Sequence, residues 1–168
     1  MDAAADAEFS EFMHGRWAGL VRLGYGLTGD LQLAEDLAQT AFARAYASWG
    51  RVRRADSPDA YLRRIVVNAN RNRFRKVRVA EQLTEAVPDL LTAADGPDGW
   101  HDRAALMAAL MELPYGQRAA IVLRYWLDLT ETETAAILGC SVGNVKSQSS
   151  RALAKLRANS GLLEGGLL

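Results

Sequence analysis

The chain has 168 residues, of which 49% are hydrophobic and 24% charged, a balance typical of a folded globular protein rather than a disordered chain. Its single cysteine, Cys140, excludes an internal disulfide, and no apolar stretch reaches the roughly 20 residues that span a bilayer. The acidic start, MDAAADAEFSEF, lacks the basic and apolar regions of a signal peptide, so we expect a cytoplasmic protein without membrane insertion.

Opposite charges balance over the whole chain but not along it. Lys and Arg total 20, as do Asp and Glu, so the net charge is zero. Residues 51–80 nevertheless hold ten basic and two acidic residues, a net charge of +8, whereas residues 1–50 carry −4 and residues 81–116 carry −6. Such a local density of positive charge indicates either an anionic partner or a strongly solvated face.

The first half of the chain predicts three helices and no strand. Phe9, Met13, Trp17, Leu20 and Val21 share one face of the first helix. The second follows the turn and cap signal at 28–30, and its predicted buried positions are Ala34, Leu37, Ala38, Ala41, Phe42 and Ala45. The third opens with a capping serine and a proline at 57–58, and its predicted stripe is Tyr61, Leu62, Ile65, Val66 and Ala69. Together these helices predict a compact domain over residues 8–78.

Residues 79–101 predict an acidic, flexible linker. They contain Pro88 and the pair Gly96-Pro97, and regular periodicity is lost. Helical spacing returns near Asp102, stops at Pro114 and resumes through Trp126. We therefore expect an all-α fold in which a second helical domain, residues 102–158, follows the linker. The few residues after it are expected to add no further domain.

The second domain contains a helix-turn-helix pattern. Thr130 and Glu133 form a capping box, Gly139 supplies the left-handed conformation that ends the helix near Leu138, and Ser141 caps a new helix that runs to about residue 158. The outward positions of this last helix are Asn144, Ser147, Gln148 and Arg151, flanked by Lys146, Lys155 and Arg157. Short polar and Arg side chains there suit base edges in a major groove, and the flanking cations suit phosphates. A merely packed helix pair is the alternative.

The third helix of the first domain indicates nucleic-acid binding independently. Arg64, Asn68, Arg71, Asn72 and Arg75 lie opposite its apolar stripe, and residues 60–80 contain no acidic residue. A solvated surface ordinarily mixes acids with bases, whereas amides interleaved with guanidinium groups are typical of a nucleic-acid-binding surface.

Enzymatic chemistry has no residues to support it. His14 and His101 lack a neighbouring ligand at metal-binding spacing, and there is no Gly-rich phosphate loop or nucleophile–base pair. Cys140 is expected to be a small buried residue of the turn. We therefore expect a protein that is not an enzyme and needs neither a metal nor another cofactor.

Three segments resemble the extracytoplasmic-function (group IV) sigma factors of bacterial RNA polymerase. They are AEDLAQTAFARAY at 34–46, PDAYLRRIVVNANRNRFRK at 58–76, and the stretch 110–157 with its L-P-x-x-x-R, L-T-x-x-E-x-A, L-G-C-S-x-G-x-V-K-S and R-A-L-x-x-L-R motifs. The motifs stand in family order and spacing. The resemblance implies a sigma-2-like helical bundle, a sigma-4-like helix-turn-helix domain, and promoter-specific transcription initiation on core RNA polymerase, with the β′ clamp helices and β flap as partners.

The resemblance also implies three groups of site residues. Those facing the β′ clamp helices are Glu35, Asp36, Gln39, Thr40 and Arg44. The loop from Gly50 to Asp56 would hold a base flipped out of the −10 element, and the residues at that element are Arg51, Arg53, Arg54, Arg64, Asn68, Arg71, Asn72 and Arg75. Those at the −35 element are Ser141, Asn144, Lys146, Ser147, Gln148 and Arg151.

Two residues depart from the pattern of the family. Thr40 stands where many members have an acid, and Gln148 stands where many have an arginine. Since a bidentate Gln prefers adenine and Arg prefers guanine, Gln148 predicts a changed −35 base preference.

Two other functions and one further partner remain open. The chain could be a helix-turn-helix regulator that binds DNA without core polymerase, or a helical module that binds an acidic protein. An anti-sigma factor that masks its surfaces is a further possible partner.

Overall fold

A computed structural model describes residues 2–84 and 98–159, and every regular element in these ranges is helical. The elements are α1 (Ala3–Thr28), α2 (Leu31–Ala47), α3 (Trp49–Val52), α4 (Pro58–Thr84), α5 (Asp98–Glu112), α6 (Tyr115–Ile121), a π-helical turn (Val122–Trp126), α7 (Glu131–Leu138) and α8 (Val142–Ala158). The predicted all-α fold with two helical domains is confirmed. None of these described helices is both long and apolar enough to cross a bilayer.

The helix boundaries follow the predicted capping signals. The Asp30 side chain accepts a hydrogen bond from the Leu33 N–H (3.2 Å), and the Ser57 hydroxyl oxygen accepts one from the Ala60 N–H (3.1 Å). Gly139 ends α7 with φ +66°. Because each cap satisfies an otherwise unpaired backbone group, these short polar residues determine where the helices begin and end.

The first domain is built on the close packing of α1 against α2. All six predicted apolar positions of α2 are buried. Gly24 of α1 lies against Ala34, so close that an added Cβ would be 2.8 Å from the Ala34 Cα. Trp49 and Val52 of the short helix α3 are buried at one end of this core.

The buried face of α4 differs in part from the predicted stripe. Leu62 and Val66 are fully buried as predicted, but Val67 is buried too, whereas Tyr61 and Ile65 are only half-buried. The difference arises because α4 packs on two neighbours, the first domain on one side and α7 on another, so its buried face is wider than one stripe.

Both ends of the predicted linker are helical. Helix α4 continues to Thr84, and α5 begins at Asp98; the intervening residues 85–97 lie outside the described residues. Residues 77–84 contain neither Gly nor Pro, and the first helix breaker is Pro88, which explains why α4 runs past residue 78. The domain limits 8–78 and 102–158 stay predictions.

The core of the second domain contains residues of α5, α6 and α8. The predicted positions Leu106, Ala109 and Leu110 of α5 are buried and share a cluster with Ala152 and Leu156 of α8. The helix predicted to run through Trp126 is α-helical only to Ile121. Its last turn is a π-helix, in which the Leu127 N–H bonds to the Val122 carbonyl (3.0 Å).

The two domains share an apolar core. Val122, Leu123 and Ile137 of the second domain cluster with Leu27 and Val66 of the first. Arg118 is buried between them, and its guanidinium donates to carbonyls on both sides, those of Leu27 (3.1 Å), Leu110 (2.9 Å), Met111 (2.6 Å) and Leu113 (3.2 Å). This arrangement places α4 against α7.

Candidate nucleic-acid interface

Helix α8 presents a polar side to solvent. Val145 and Ala152 are completely buried and fix the rotation of the helix against its domain. Asn144, Lys146, Ser147 and Arg151 are exposed. The surface they form contains no acidic side chain and is compatible with a groove of DNA.

Ser141 and Gln148 lie against other parts of the chain. The Ser141 hydroxyl oxygen accepts the Asn144 N–H (3.0 Å), so it serves as the helix cap. Gln148 is half-buried, and a Cβ added at Gly116 would lie 3.5 Å from its Nε2 atom. The Gln148 amide therefore lies beside the start of α6, at the edge of the exposed surface of α8.

The predicted residues of α4 differ in their contacts. Arg64, Asn68, Asn72 and Arg75 are exposed to solvent, and Arg71 is half-buried. Arg64 and Arg71 also contact the second domain: Arg64 Nη2 donates to the Ala136 carbonyl (2.8 Å), and the Arg71 guanidinium carbon lies 5.4 Å from the Tyr115 ring centroid. Two of the five side chains therefore have partners in the second domain.

The predicted base-binding loop begins as a helical turn, since residues 49–52 form α3. Arg51 and Arg54 are exposed, whereas Arg53 pairs with Glu8 at 3.0 Å. A groove of about 340 Å³ runs beside this turn and is lined by Tyr46, Ala47, Ser48, Trp49, Gly50 and Arg51. The buried indole nitrogen of Trp49 has no hydrogen-bond partner within the described residues.

The predicted polymerase-binding residues share the outer side of α2. Asp36, Gln39 and Arg44 are exposed, and Glu35 and Thr40 are half-buried. The Thr40 hydroxyl donates to the Asp36 carbonyl (3.0 Å). The helix thus buries one side in the core and presents these five polar side chains on the other.

Sequence analysis missed further exposed polar residues on the same helices. Arg73, Lys76 and Arg78 of α4 and Ser150 of α8 are exposed beside the predicted sites. The three cations belong to the segment of net charge +8, so charge density alone is a signal that could have found them.

Sequence analysis also missed the residues that join the domains. Tyr115, Arg118 and Trp126 of the second domain contact α1 or α4 of the first. Arg118 belongs to the L-P-x-x-x-R motif, yet nothing in the motif indicates that its partners lie in both domains.

Burial between the domains perturbs two titratable groups. It raises the pKa of Tyr115 to about 12, although the nearby Arg71 guanidinium acts in the opposite direction. It also lowers the pKa of Arg118, which lies among carbonyls rather than carboxylates. Both shifts show that removal from water outweighs the neighbouring charges at this interface.

Both domains match known protein families. The family described as sigma-70 region 2 matches residues 16–79, and the family described as sigma-70, region 4, matches residues 103–156. The first match covers α4 and the second covers α7 and α8, so each matched region contains one of the two polar surfaces.

Similar proteins include RNA polymerase sigma factors. The chain is 42% identical over 150 residues to the RNA polymerase sigma-E factor of Streptomyces antibioticus, covering 89% of this chain and 83% of the relative. It is 34% identical to the ECF RNA polymerase sigma factor SigM of Mycobacterium tuberculosis, covering 80% and 67%.

Two solved structures have a similar fold. Sigma factor RpoE in complex with the anti-sigma factor NepR, from Bartonella quintana, gives a TM-score of 0.76 at 27% identity and covers 94% of this chain and 97% of its own. CnrH in complex with the cytosolic domain of CnrY gives 0.64 at 25% identity and covers 96% and 90%. This chain belongs to the extracytoplasmic-function group of the sigma-70 family and is an RNA polymerase sigma factor that directs transcription initiation.

Proposed function

We propose that this sigma factor binds the −35 element of its promoters through α8. The observation that carries the proposal is the exposed set Asn144, Ser147 and Arg151 on a helix whose other side is anchored by Val145 and Ala152. In helix-turn-helix proteins the N-terminal part of the second helix enters the major groove. Amide, hydroxyl and guanidinium groups are the side chains that hydrogen-bond to base edges there.

We further propose that α4 and α3 hold the −10 element after it opens. Asn68, Asn72 and Arg75 form an exposed row of amide and guanidinium groups, which suits a single strand with accessible bases and phosphates. The groove beside Trp49 and Arg51 supports a place for one flipped base. Flipping costs unstacking energy, which contacts to the strand and to polymerase would offset.

The outer side of α2 is the surface proposed for core RNA polymerase. Asp36, Glu35 and Gln39 offer acceptor groups that suit the β′ clamp helices if those are basic, and the second domain would meet the β flap. The expected site of action is the cytoplasm. Family membership favours this function over a regulator that binds DNA alone and over an acidic-protein module.

Transcription with purified core polymerase tests the whole proposal. The chain is mixed with bacterial core enzyme and a library of randomised promoters, and run-off transcripts are sequenced. Enrichment of start sites that share two spaced elements is the expected result. Absence of core binding and of any specific transcript would contradict the proposal.

Variants of α8 test the −35 contact. Arg151→Ala should weaken binding of the holoenzyme to the −35 element by about 1–3 kcal/mol because a direct contact to a base is lost. Arg157→Ala, which removes an equal charge nearer the end of α8, is the matched control and should leave base preference unchanged. Gln148→Arg should shift preference from adenine to guanine at one position; an unchanged preference would show that Gln148 does not contact that base.

We also infer an anti-sigma protein as a partner. The supporting observation is the likeness to the sigma factor RpoE in complex with the anti-sigma factor NepR, and to CnrH in complex with the cytosolic domain of CnrY. Co-purification of the chain from its native cells, followed by inhibition of run-off transcription by the captured protein, tests this inference.

A further inference from the structure

The Gln148 side chain of α8 lies against the start of α6. A Cβ added at Gly116 would lie 3.5 Å from the Gln148 Nε2 atom, 3.6 Å from Cδ and 3.9 Å from Oε1. All three distances are ordinary van der Waals contacts, so the whole amide group lies beside the Gly116 main chain. Gln148 is accordingly half-buried, whereas Asn144, Ser147 and Arg151 on the same side of α8 are exposed.

Contact with Gly116 restrains the Gln148 amide but does not satisfy it. Among the described residues, none forms a hydrogen bond with the amide nitrogen or oxygen of Gln148. A glutamine reads adenine in the major groove by donating from its nitrogen and accepting with its oxygen at the same time. The amide of Gln148 is therefore held in one place while both of its polar atoms stay available to a base.

The packing of α6 on α8 fixes the position of Gly116. Ile121 of α6 shares an apolar cluster with Ala152 of α8. Arg118 of α6 is buried, and its guanidinium donates to the Leu110 carbonyl of α5 at 2.9 Å. Because both anchors follow Gly116 on the same short helix, its main chain is held at a fixed distance from α8.

We propose that Gly116 is a specificity-determining position for the −35 element, although it lies outside α8 and itself contacts no base. The absence of a side chain at this position lets the Gln148 amide rest against α6, from where it pairs with one base. Gly116 acts through Gln148 and is thus a positioning residue. The inference rests on the proposed role of α8 at the −35 element.

A branched side chain at residue 116 would displace the Gln148 amide. Valine places carbons in two of the three staggered positions beyond Cβ, and the Gln148 Nε2 atom already lies 3.5 Å from Cβ itself. The amide is the far end of a flexible, half-buried side chain, so it can rotate towards solvent. Since valine also has a higher helix propensity than glycine, we expect Gly116→Val to fold and to move the amide.

The base preference of the holoenzyme measures this displacement. The chain is combined with core polymerase and bound to promoter duplexes in which each −35 position is changed in turn to the other three bases. Gly116→Val should lower discrimination at one position by about three- to tenfold, because a misplaced amide loses its paired hydrogen bonds to the base. Gln148→Ala should lower discrimination at the same position, and preferences at the other positions should persist in both variants.

Combining the two substitutions shows whether Gly116 acts through Gln148. In a Gln148→Ala background, Gly116→Val should cause no further change in preference, because no amide remains to be displaced. Gly19→Val is the matched control and should keep the wild-type preferences, since no atom lies within 4 Å of a Cβ at that position of α1. Wild-type preferences in Gly116→Val would overturn the inference, and so would an effect of this substitution that persists without Gln148.

Nuclear magnetic resonance locates the amide without DNA. In the free chain, a nuclear Overhauser effect is expected between the Hα protons of Gly116 and the side-chain amide protons of Gln148. Its absence would overturn the inference, and this measurement on the wild type keeps the inference testable should Gly116→Val fail to fold, which circular dichroism detects.

The inference and the proposed function fail in different ways. A wild-type holoenzyme that discriminates no −35 base contradicts the role of α8, even where the Overhauser effect between Gly116 and Gln148 is present. A wild-type holoenzyme that discriminates −35 bases, but at no position that responds to Gln148→Ala or Gly116→Val, contradicts the inference alone.

Discussion

At Gly24 the backbones of α1 and α2 approach too closely for any side chain. The position of an added Cβ lies 2.8 Å from the Ala34 Cα and 3.1 Å from its carbonyl oxygen. Both are main-chain atoms, so relief requires the two helices to move apart rather than one side chain to rotate. The Gly24–Ala34 contact therefore determines how closely α1 and α2 approach each other.

Gly24→Ala should lower the free energy of unfolding by about 1–3 kcal/mol, because overpacking two backbones costs more than the gain in helix propensity. Urea denaturation followed by circular dichroism measures the change. Gly15→Ala in the same helix meets no atom within 4 Å and should be neutral or slightly stabilising. Equal stabilities of the two variants would contradict the close approach.

Residue-level prediction succeeded where a residue acts on its own helix and failed where it acts between domains. The buried positions of α2 repeat with helical spacing, so the sequence contains all the information needed. Arg118 shows the opposite case. An arginine ordinarily predicts a solvated side chain, yet Arg118 is 4% exposed, because the carbonyls of Leu27, Leu110 and Met111 converge on it from two domains.

At the scale of elements, hydrogen bonds in the first turn of α7 stabilise the start of this helix. The Thr130 hydroxyl oxygen accepts the Glu133 N–H at 3.1 Å, and the Glu133 carboxylate accepts the Thr130 N–H at 2.8 Å. Hydrogen bonds from Thr130 to the carboxylate, first from its backbone N–H and then from its side chain, hold the pKa of Glu133 below its usual 4.5, and the charge of Arg63 contributes less. The carboxylate therefore stabilises the folded chain only while it is ionised.

The contribution of Glu133 to stability should be present above about pH 4.5 and disappear as the pH falls through its lowered pKa. Glu133→Gln should be less stable than the wild type at pH 7, because a neutral amide accepts the N–H more weakly. Urea denaturation from pH 7 down to about 3 should show the two stabilities converging. A constant difference across this range would contradict the role of the charge.

Elements with local signals were predicted and those set by distant neighbours were not. Caps at Asp30, Ser57 and Thr130 lie within three residues of the groups they satisfy, so sequence alone identifies them. The π-helical turn at 122–126 and the wide buried face of α4 are different. Both features depend on which helices pack beside them, and the sequence of one segment does not specify its packing partners.

At the scale of the whole molecule, sequence likewise predicts the features of the candidate site that depend on one helix, but not those that depend on packing between the domains. The polar side of α8 follows from spacing within one helix, and the structure has Asn144, Ser147 and Arg151 exposed as spacing indicates. The residues of α4 share one helical face in the sequence pattern. Only the packed molecule shows that Arg64 and Arg71 contact the second domain.

The interface between the domains also predicts how stability changes in alkali. The Tyr115 hydroxyl donates to the Val67 carbonyl, which only the protonated phenol can do. Burial raises the pKa of Tyr115 from 10.0 to about 12. Because the folded value lies above the unfolded one, the stabilisation is fully present below about pH 10 and is lost as the pH rises towards 12.

Tyr115→Phe should therefore lose less stability than the wild type between about pH 9 and 11.5, because it has no phenol to ionise on unfolding. Urea denaturation at intervals across this range measures the difference between the two proteins. Trp126→Phe is the matched control, since it removes another bond between the domains, from the indole N–H to the Arg22 carbonyl, but no titrating group. Its deficit relative to the wild type should stay constant with pH. A Tyr115→Phe profile parallel to the wild type would show that this phenol does not couple domain packing to pH.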